Sequence, residues 1–241
     1  MLQLHNLSIG YKTNVIATGL NATLKSGQLV CLVGRNGMGK STLLRTLTAM
    51  QPPLDGEVTV NGKDVATLSA REKATTVSIV LTKRPEVALM TVEETVALGR
   101  TPYTNLWGKL REEDKAVVRQ CLEATGTYAL RRRKLQTLSD GECQKVMMAR
   151  AMAQQTPIIV MDEPTAFLDY PSKIEALNIM QRLAHEENRL IIVSTHDLEA
   201  AMKMADSIWI LDNGALHSGT PDELNSNGML QKCLNYQLVT P

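Results

Sequence analysis

The stretch Gly34-Arg35-Asn36-Gly37-Met38-Gly39-Lys40-Ser41 constrains this chain more than any other, because it fits the pattern G-x-x-x-x-G-K-[ST]. It follows the apolar run Leu29-Val30-Cys31-Leu32-Val33, which predicts a buried strand, and it opens a helical stretch from about Lys40 to Ala49. Strand, glycine turn and helix in that order make a cradle for a polyphosphate. Glycines let several backbone N–H groups face one anion. The helix adds its N-terminal dipole and unpaired donors. Lys40 supplies a point charge for the β- and γ-phosphates, and Ser41 a hydroxyl for Mg²⁺. A second apolar run, Ile158-Ile159-Val160-Met161, ends in Asp162-Glu163. At the carboxyl end of a parallel strand, Asp162 can face Mg²⁺ through water. Glu163 can orient or deprotonate a water for in-line attack on the γ-phosphate.

The rest of the chain supplies a frame for this loop. Leu2, Leu4, Leu7 and Ile9 alternate, as do Leu20, Ala22 and Leu24, which predicts half-exposed antiparallel strands. Residues 57–60 and 76–81 predict further strands. From about 85 to 154 strand signals vanish and helical periodicity takes over. Thr91 with Glu94, and Ser139 with Glu142, resemble capping boxes opening helices, with another helix at 112–124 between them. Strands return at 158–161, 190–194 and 207–211, separated by helices at about 172–187 and 198–205. Asp212-Asn213-Gly214 is a hairpin signal before a strand at 215–218. This alternation predicts an α/β fold with a mostly parallel sheet and helices on both faces. An antiparallel β subdomain precedes it and an all-helical subdomain is inserted into it. The expected organisation is one domain, with 1–84 and 155–241 as core and β subdomain and 85–154 as the helical part.

Composition narrows the function. A net charge of +1 gives no broad field for nucleic acid, and one Phe, two Trp and five Tyr leave few platforms for stacked bases. The run Arg131-Arg132-Arg133-Lys134 reads as a solvated loop. Cys31, Cys121, Cys143 and Cys233 form no C-x-x-C pair and read as buried free thiols in a reducing compartment. No apolar run approaches the ~20 residues of a membrane helix, and the start lacks the features of a signal peptide. The expectation is a cytoplasmic protein, held at a membrane only through a partner.

Three further stretches carry a resemblance. Leu138-Ser139-Asp140-Gly141-Glu142 precedes the acidic strand, Ala166-Phe167-Leu168-Asp169 follows it, and Ser194-Thr195-His196-Asp197 follows a later strand. With the glycine loop they resemble, in order and spacing, the signature motif, D-loop and switch histidine of ABC ATPases, whose core is a RecA-like P-loop fold. The resemblance runs along essentially the whole chain. It implies ATP and Mg²⁺, with Gly34, Arg35, Asn36, Gly37, Met38, Gly39, Lys40, Ser41 and Thr42 around the phosphates. It implies that Tyr11, 29 residues before Lys40, stacks on adenine. Two copies would close head to tail, each ATP lying between the Lys40 loop of one and Ser139 and Gly141 of the other. Asp169 would link the two sites, and His196 would hold the γ-phosphate and sense its loss. Lys40, Glu163 and His196 would be catalytic, with Ser41, Asp162 and Thr82 on the metal side.

Two positions depart from the family pattern. Thr82 stands where the family usually has Gln, with shorter reach to metal or water. Asp140 stands where the commonest signature has Gly, and is expected to point away from phosphate or to cap the next helix. Glu142 in place of Gln is milder. The stretch from Met90 to Arg100 followed by Pro102-Tyr103 resembles importers of iron-siderophores, haem and cobalamin. That implies a separate membrane permease, docked beside residues of about 83 to 105, and indirectly a solute-binding protein. An exporter's ATPase, an importer for another solute and a soluble non-transport ABC ATPase are the alternatives.

Overall fold

The computed structural model describes residues 1–82, 89–105 and 107–234. Its centre is β3 (Leu29–Val33), every residue of which is buried. A strand apolar on both faces needs cover on both faces. On one side of β3 in the sheet lies β8 (Leu190–Ser194), then β7 (Ile158–Asp162) and β6 (Val77–Val80). On the other side lies β9 (Ser207–Asp212), then β10 (Ala215–Gly219). All pair in parallel except β10, which turns back through Asn213 (φ 45°) and Gly214 (φ 80°), as the hairpin signal predicts.

The strand period of two divides the core. Leu29, Cys31 and Val33 join one cluster with Ile159, Met161, Ile191 and Val193. Val30 and Leu32 join another with Val160, Ile192 and Trp209. The second cluster is closed by α1 (Lys40–Leu47) and by the antiparallel strands β1 (Leu2–Tyr11), β2 (Asn14–Leu24) and β4 (Asp55–Val60), with β5 (Lys63–Asp64) extending that sheet at its edge. Leu43, Leu44 and Leu47 of α1 are almost wholly buried, and each contributes about 1.5–3 kcal/mol at most. Leu4 and Leu7 are both buried although their spacing is odd, because the register shifts between them and Asn6 turns to φ 47°. That bulge keeps both leucines on the core face.

The first cluster is covered by helices. The chain leaves β6, runs through the helical insert and returns as β7, which pairs directly with β6. The insert holds α3 (Val92–Ala97), a 3-10 segment (Leu98–Tyr103), α4 (Glu112–Ala124) and α5 (Asp140–Ala153). The helix expected from Thr91 is thus shorter than its pattern, with Pro102 inside the 3-10 segment. Val92, Val96, Leu122 and Val146 bury in the same cluster as the sheet, so the insert has no separate core. A short helix, α2 (Ala70–Thr76), precedes β6, capped by Ser69 and Glu72. The remaining helices are α6 (Tyr170–His185), α7 (Leu198–Met204), α8 (Pro221–Ser226) and α9 (Met229–Leu234). No helix among the described residues is long and apolar enough to cross a membrane.

Candidate functional site

The carboxyl ends of β3, β6, β7 and β8 lie at one edge of the sheet, where parallel α/β folds gather ligands. The N-cap of α1 is Gly39, at φ 97° and with no side chain to offer the free amides of the first helical turn. A Cβ at Gly39 would lie 2.3 Å from Ile16 Cγ2, so both backbone and packing require glycine there. Arg35, Asn36 and Gly37 are exposed and Lys40 is buried. The Lys40 ammonium donates to the carbonyls of Gly34 (2.7 Å) and Arg35 (3.4 Å), folding back across its own loop. Burial lowers its pKa, while the carboxylates of Glu163 and Asp162 act in the opposite direction. Loop cation and strand-end acids therefore share one electrostatic neighbourhood.

Asp162 ends β7 and is paired in register with Ser194, which ends β8. The Ser194 hydroxyl donates to Asp162 Oδ1 at 2.6 Å and accepts the Glu163 N–H at 2.9 Å. One hydroxyl thus fixes the first acid's side chain and the second acid's backbone. Glu163 sits at φ 50°, a left-handed conformation that costs a non-glycine residue about 1–2 kcal/mol. His196 Nε2 lies 2.5 Å from Glu163 Oε1. A carboxylate only accepts, so the imidazole donates. Thr82, just beyond β6, donates its hydroxyl to the Asp162 carbonyl at 2.8 Å. Its oxygen keeps lone pairs for metal or water, from a position anchored on the β7 backbone.

The loop carrying His196 is braced twice. Asp197 accepts the Ala200 N–H at 2.8 Å, capping α7, and forms an ion pair with Lys173 of α6. Burial would raise the Asp197 pKa, but Lys173 and the Ala200 amide outweigh it and hold it below the usual range. Sequence reasoning gave neither Lys173 nor Ser194 a role. No local motif marks Ser194, because its role depends on β7 and β8 lying side by side.

Tyr11 ends β1 with its ring half exposed, and its hydroxyl lies 3.4 Å from both Thr42 Oγ1 and Arg45 Nη1 of α1. The Thr42 hydrogen bond, with help from Arg45, lowers its pKa against the opposing effect of burial. Ser139 and Glu142 cap α5 reciprocally, at 3.2 Å and 2.8 Å, and Asp140 occupies the first helical turn. A Cβ on Gly141 would lie 3.2 Å from the Phe167 carbonyl, so this helix start packs against the loop that leads to Asp169. Asp169 caps α6 through the Ser172 N–H at 3.1 Å. The fold thus forms two groups, Lys40, Thr82, Asp162, Glu163 and His196 in one and Ser139, Gly141 and Asp169 in the other. Among the described residues no hydrogen bond joins the second group to the loop of residues 34–42.

These donors suit a magnesium nucleotide. The uncapped helix start and the open space around Gly37, where a Cβ would meet nothing within 4 Å, fit a phosphate chain. A serine hydroxyl and a carboxylate are hard oxygen ligands. No group of three or more His, Cys, Asp or Glu among the described residues makes a protein-only metal cage. Mg²⁺ is commonly held by one or two protein groups completed by substrate phosphates.

A cavity of about 570 Å³ lies where α2 meets the insert, lined by Arg71, Leu98, Thr101, Pro102, Asn105 and Gln154 among others. It overlaps the docking region expected beside residues 83 to 105, of which 83–88 lie outside the described residues. Trp107 nearby in sequence is 92% exposed.

Residues 17–166 match the family described as ABC transporter. The chain is 40% identical over 213 residues to an uncharacterised ABC transporter ATP-binding protein of Methanocaldococcus jannaschii, covering 88% of this chain and 73% of that one. It is 36% identical to the iron(3+)-hydroxamate import ATP-binding protein of Bacillus subtilis, covering 99% and 90%. Among solved structures, it matches the dimeric ATP-binding cassette MJ0796 in a post-hydrolysis state bound to ADP and Pi. That match has a TM-score of 0.82 at 25% identity, over 92% of this chain and 99% of that one.

Proposed function

The chain belongs to the ABC transporter family as an ATP-hydrolysing subunit, and from that premise we propose that it powers import of a metal chelate through a separate membrane permease. The hydrolytic part of this reading is carried by one juxtaposition: Lys40, Asp162, Glu163 and His196 gathered at the carboxyl edge of the sheet. The import part is supported by the 36% identity to an iron(3+)-hydroxamate import protein over nearly the whole chain.

In the proposed cycle the amides of residues 34–42 and the Lys40 ammonium hold the phosphates of ATP, and Tyr11 stacks on the base. Ser41, Asp162 and Thr82 would hold Mg²⁺, which neutralises charge on the phosphate oxygens when bound. Glu163 takes the proton from the attacking water. His196 leaves the Glu163 carboxylate and donates instead to the γ-phosphate. Ser139 and Gly141 of a second copy close the site from the opposite side, and Asp169 spans the two copies. Positioning and charge stabilisation dominate. Residues 85–154 move as a unit, and the groove beside the 3-10 segment receives a helix of the permease. The protein would then sit on the inner face of the cell membrane, with a solute-binding protein supplying cargo from the other side.

The Glu163→Gln variant tests the hydrolytic assignment. It should bind ATP as tightly as the wild type while kcat falls at least ~100-fold. Wild-type turnover in that variant would remove Glu163 from the role of base. Co-purification with a permease, followed by uptake of ferric hydroxamate and cobalamin into vesicles, tests the cargo. Active transport of neither would overturn the metal-chelate reading.

A further inference from the structure

His196 lies in the turn between β8 and α7, with its side chain nearly half exposed. A ring that must reach one phosphate oxygen needs that turn held in place, because small errors of position cost rate. The Thr195 N–H donates to the Leu32 carbonyl of β3 at 3.1 Å, and the Asp197 N–H to the Thr195 hydroxyl at 3.0 Å. Asp197 Oδ1 accepts the Ala200 N–H at 2.8 Å. These bonds join the turn to itself, to the sheet and to α7. The other carboxylate oxygen, Asp197 Oδ2, reaches further and pairs with the Lys173 ammonium of α6.

Helix stability does not explain a lysine at this place. Lys173 closes the first turn of α6, its N–H bonded to the carbonyl of the N-cap Asp169 at 2.8 Å. Free amides give that end of a helix a partial positive charge, which disfavours a cation. A part-exposed ion pair returns little stability, but it does fix the position of the groups it joins. Both partners are about three-quarters buried. Burial is the largest influence on the Asp197 carboxyl and would raise its pKa, yet Lys173 and the Ala200 amide hold it below the usual range. Local rules of this kind are broken mainly near functional sites. We propose that Lys173 is a positioning residue for hydrolysis, which through Asp197 holds His196 in line with Glu163 and the γ-phosphate. The proposal rests on the reading of His196 as the group that contacts the γ-phosphate. Since α6 starts from Asp169, the same ion pair makes His196 follow movement of that helix start. The ammonium is engaged with Asp197 rather than with phosphate, so its loss should slow the chemical step and leave ATP binding intact.

The test measures kcat and KM for ATP on the full chain. Lys173→Met keeps the apolar stem and removes the charge; kcat should fall about tenfold while KM stays at the wild-type value. Lys173→Arg can still pair with Asp197 and should recover about half or more of the wild-type kcat. Asp197→Asn keeps a capping side chain for α7. It should lower kcat by the same factor as Lys173→Met, and combining the two should lower it no further, because they break one link. Thermal melts close to that of the wild type show that each variant is folded. Wild-type kcat in Lys173→Met would overturn the proposal. So would a rise in KM in place of the fall in kcat, losses that multiply in the double variant, or no recovery in Lys173→Arg. His196→Ala is the companion measurement. If it is impaired while Lys173→Met is not, the positioning role alone is lost. Full turnover in His196→Ala would overturn the reading of His196, and the proposal with it.

Discussion

Glu163 combines a strained backbone with the side chain assigned to chemistry. Its left-handed φ of 50° is stabilised by a hydrogen bond to the Ser194 hydroxyl, and such outliers persist where surrounding structure over-determines them. Glycine adopts this conformation without the Cβ penalty of about 1–2 kcal/mol, at an entropic cost of about 0.5–1 kcal/mol. Glu163→Gly should therefore raise unfolding free energy by about 0.5 kcal/mol in urea denaturation while abolishing hydrolysis. A clear loss of stability would show that the His196 contact, not backbone strain, sets the energy of this position. The residues of the site differ in how legible they are. Lys40, Asp162 and Glu163 can be read directly because each lies in a short local motif beside a strand. Ser194 cannot, because its role exists only when β7 and β8 align side by side, 32 residues apart in sequence. Thr82 is intermediate: its position is visible in sequence, but its bond to the Asp162 carbonyl is not.

Helix starts carry two kinds of work in this chain. Ser139 caps α5 and is also the residue proposed to meet the second copy's ATP. Substitution can separate these roles. Ser139→Ala should cost about 1 kcal/mol of stability through loss of the cap. Ser139→Asp should keep the cap and the stability, yet lose ATP-dependent association because a carboxylate faces phosphate. Thermal melts and light scattering read the two effects separately. Within the insert, the buried Arg100–Asp114 pair fastens the 3-10 segment to α4, and Arg100 also donates to the Ala153 carbonyl at 2.8 Å. Arg100→Met should cost about 3 kcal/mol, because buried Asp114 loses its ion-pair partner and keeps only the Arg111 N–H among its hydrogen bonds. The Arg111 N–H, then Arg100, hold the Asp114 carboxyl below its usual range against the opposing effect of burial. Its contribution is therefore present above the unfolded value of ~3.9 and is lost as pH falls through the lower folded value. Asp114→Asn should remove that part of the acid limb in a stability-against-pH series. Elements announced by periodicity or capping pairs were largely visible in sequence. Three departures have physical causes. The short α2 hid behind polar residues although Ser69 and Glu72 form the same box as Ser139 and Glu142. The Asn6 bulge broke strand parity. Pro102 lies within a 3-10 continuation of α3.

At the scale of the whole molecule, no hydrogen bond among the described residues joins Ser139, Gly141 or Asp169 to the phosphate loop of the same chain, and a complete ATP site is expected only between copies. Glu163→Gln protein should be monomeric without nucleotide and dimeric with ATP and Mg²⁺ in size-exclusion light scattering. A persistent monomer that still binds ATP would mean that closure requires the permease. The strand order also has a consequence for how the protein is made. The antiparallel sheet is complete once Asp64 has emerged, but β3, finished at Val33, pairs only with β8 and β9. Those partners begin at Leu190 and Ser207. At about 5–20 residues per second, the strand before the phosphate loop waits on the order of ten to thirty seconds for its neighbours. A nascent chain therefore carries its nucleotide loop on a strand that still lacks both sheet neighbours, and should become able to grip ATP only once β8 and β9 have emerged.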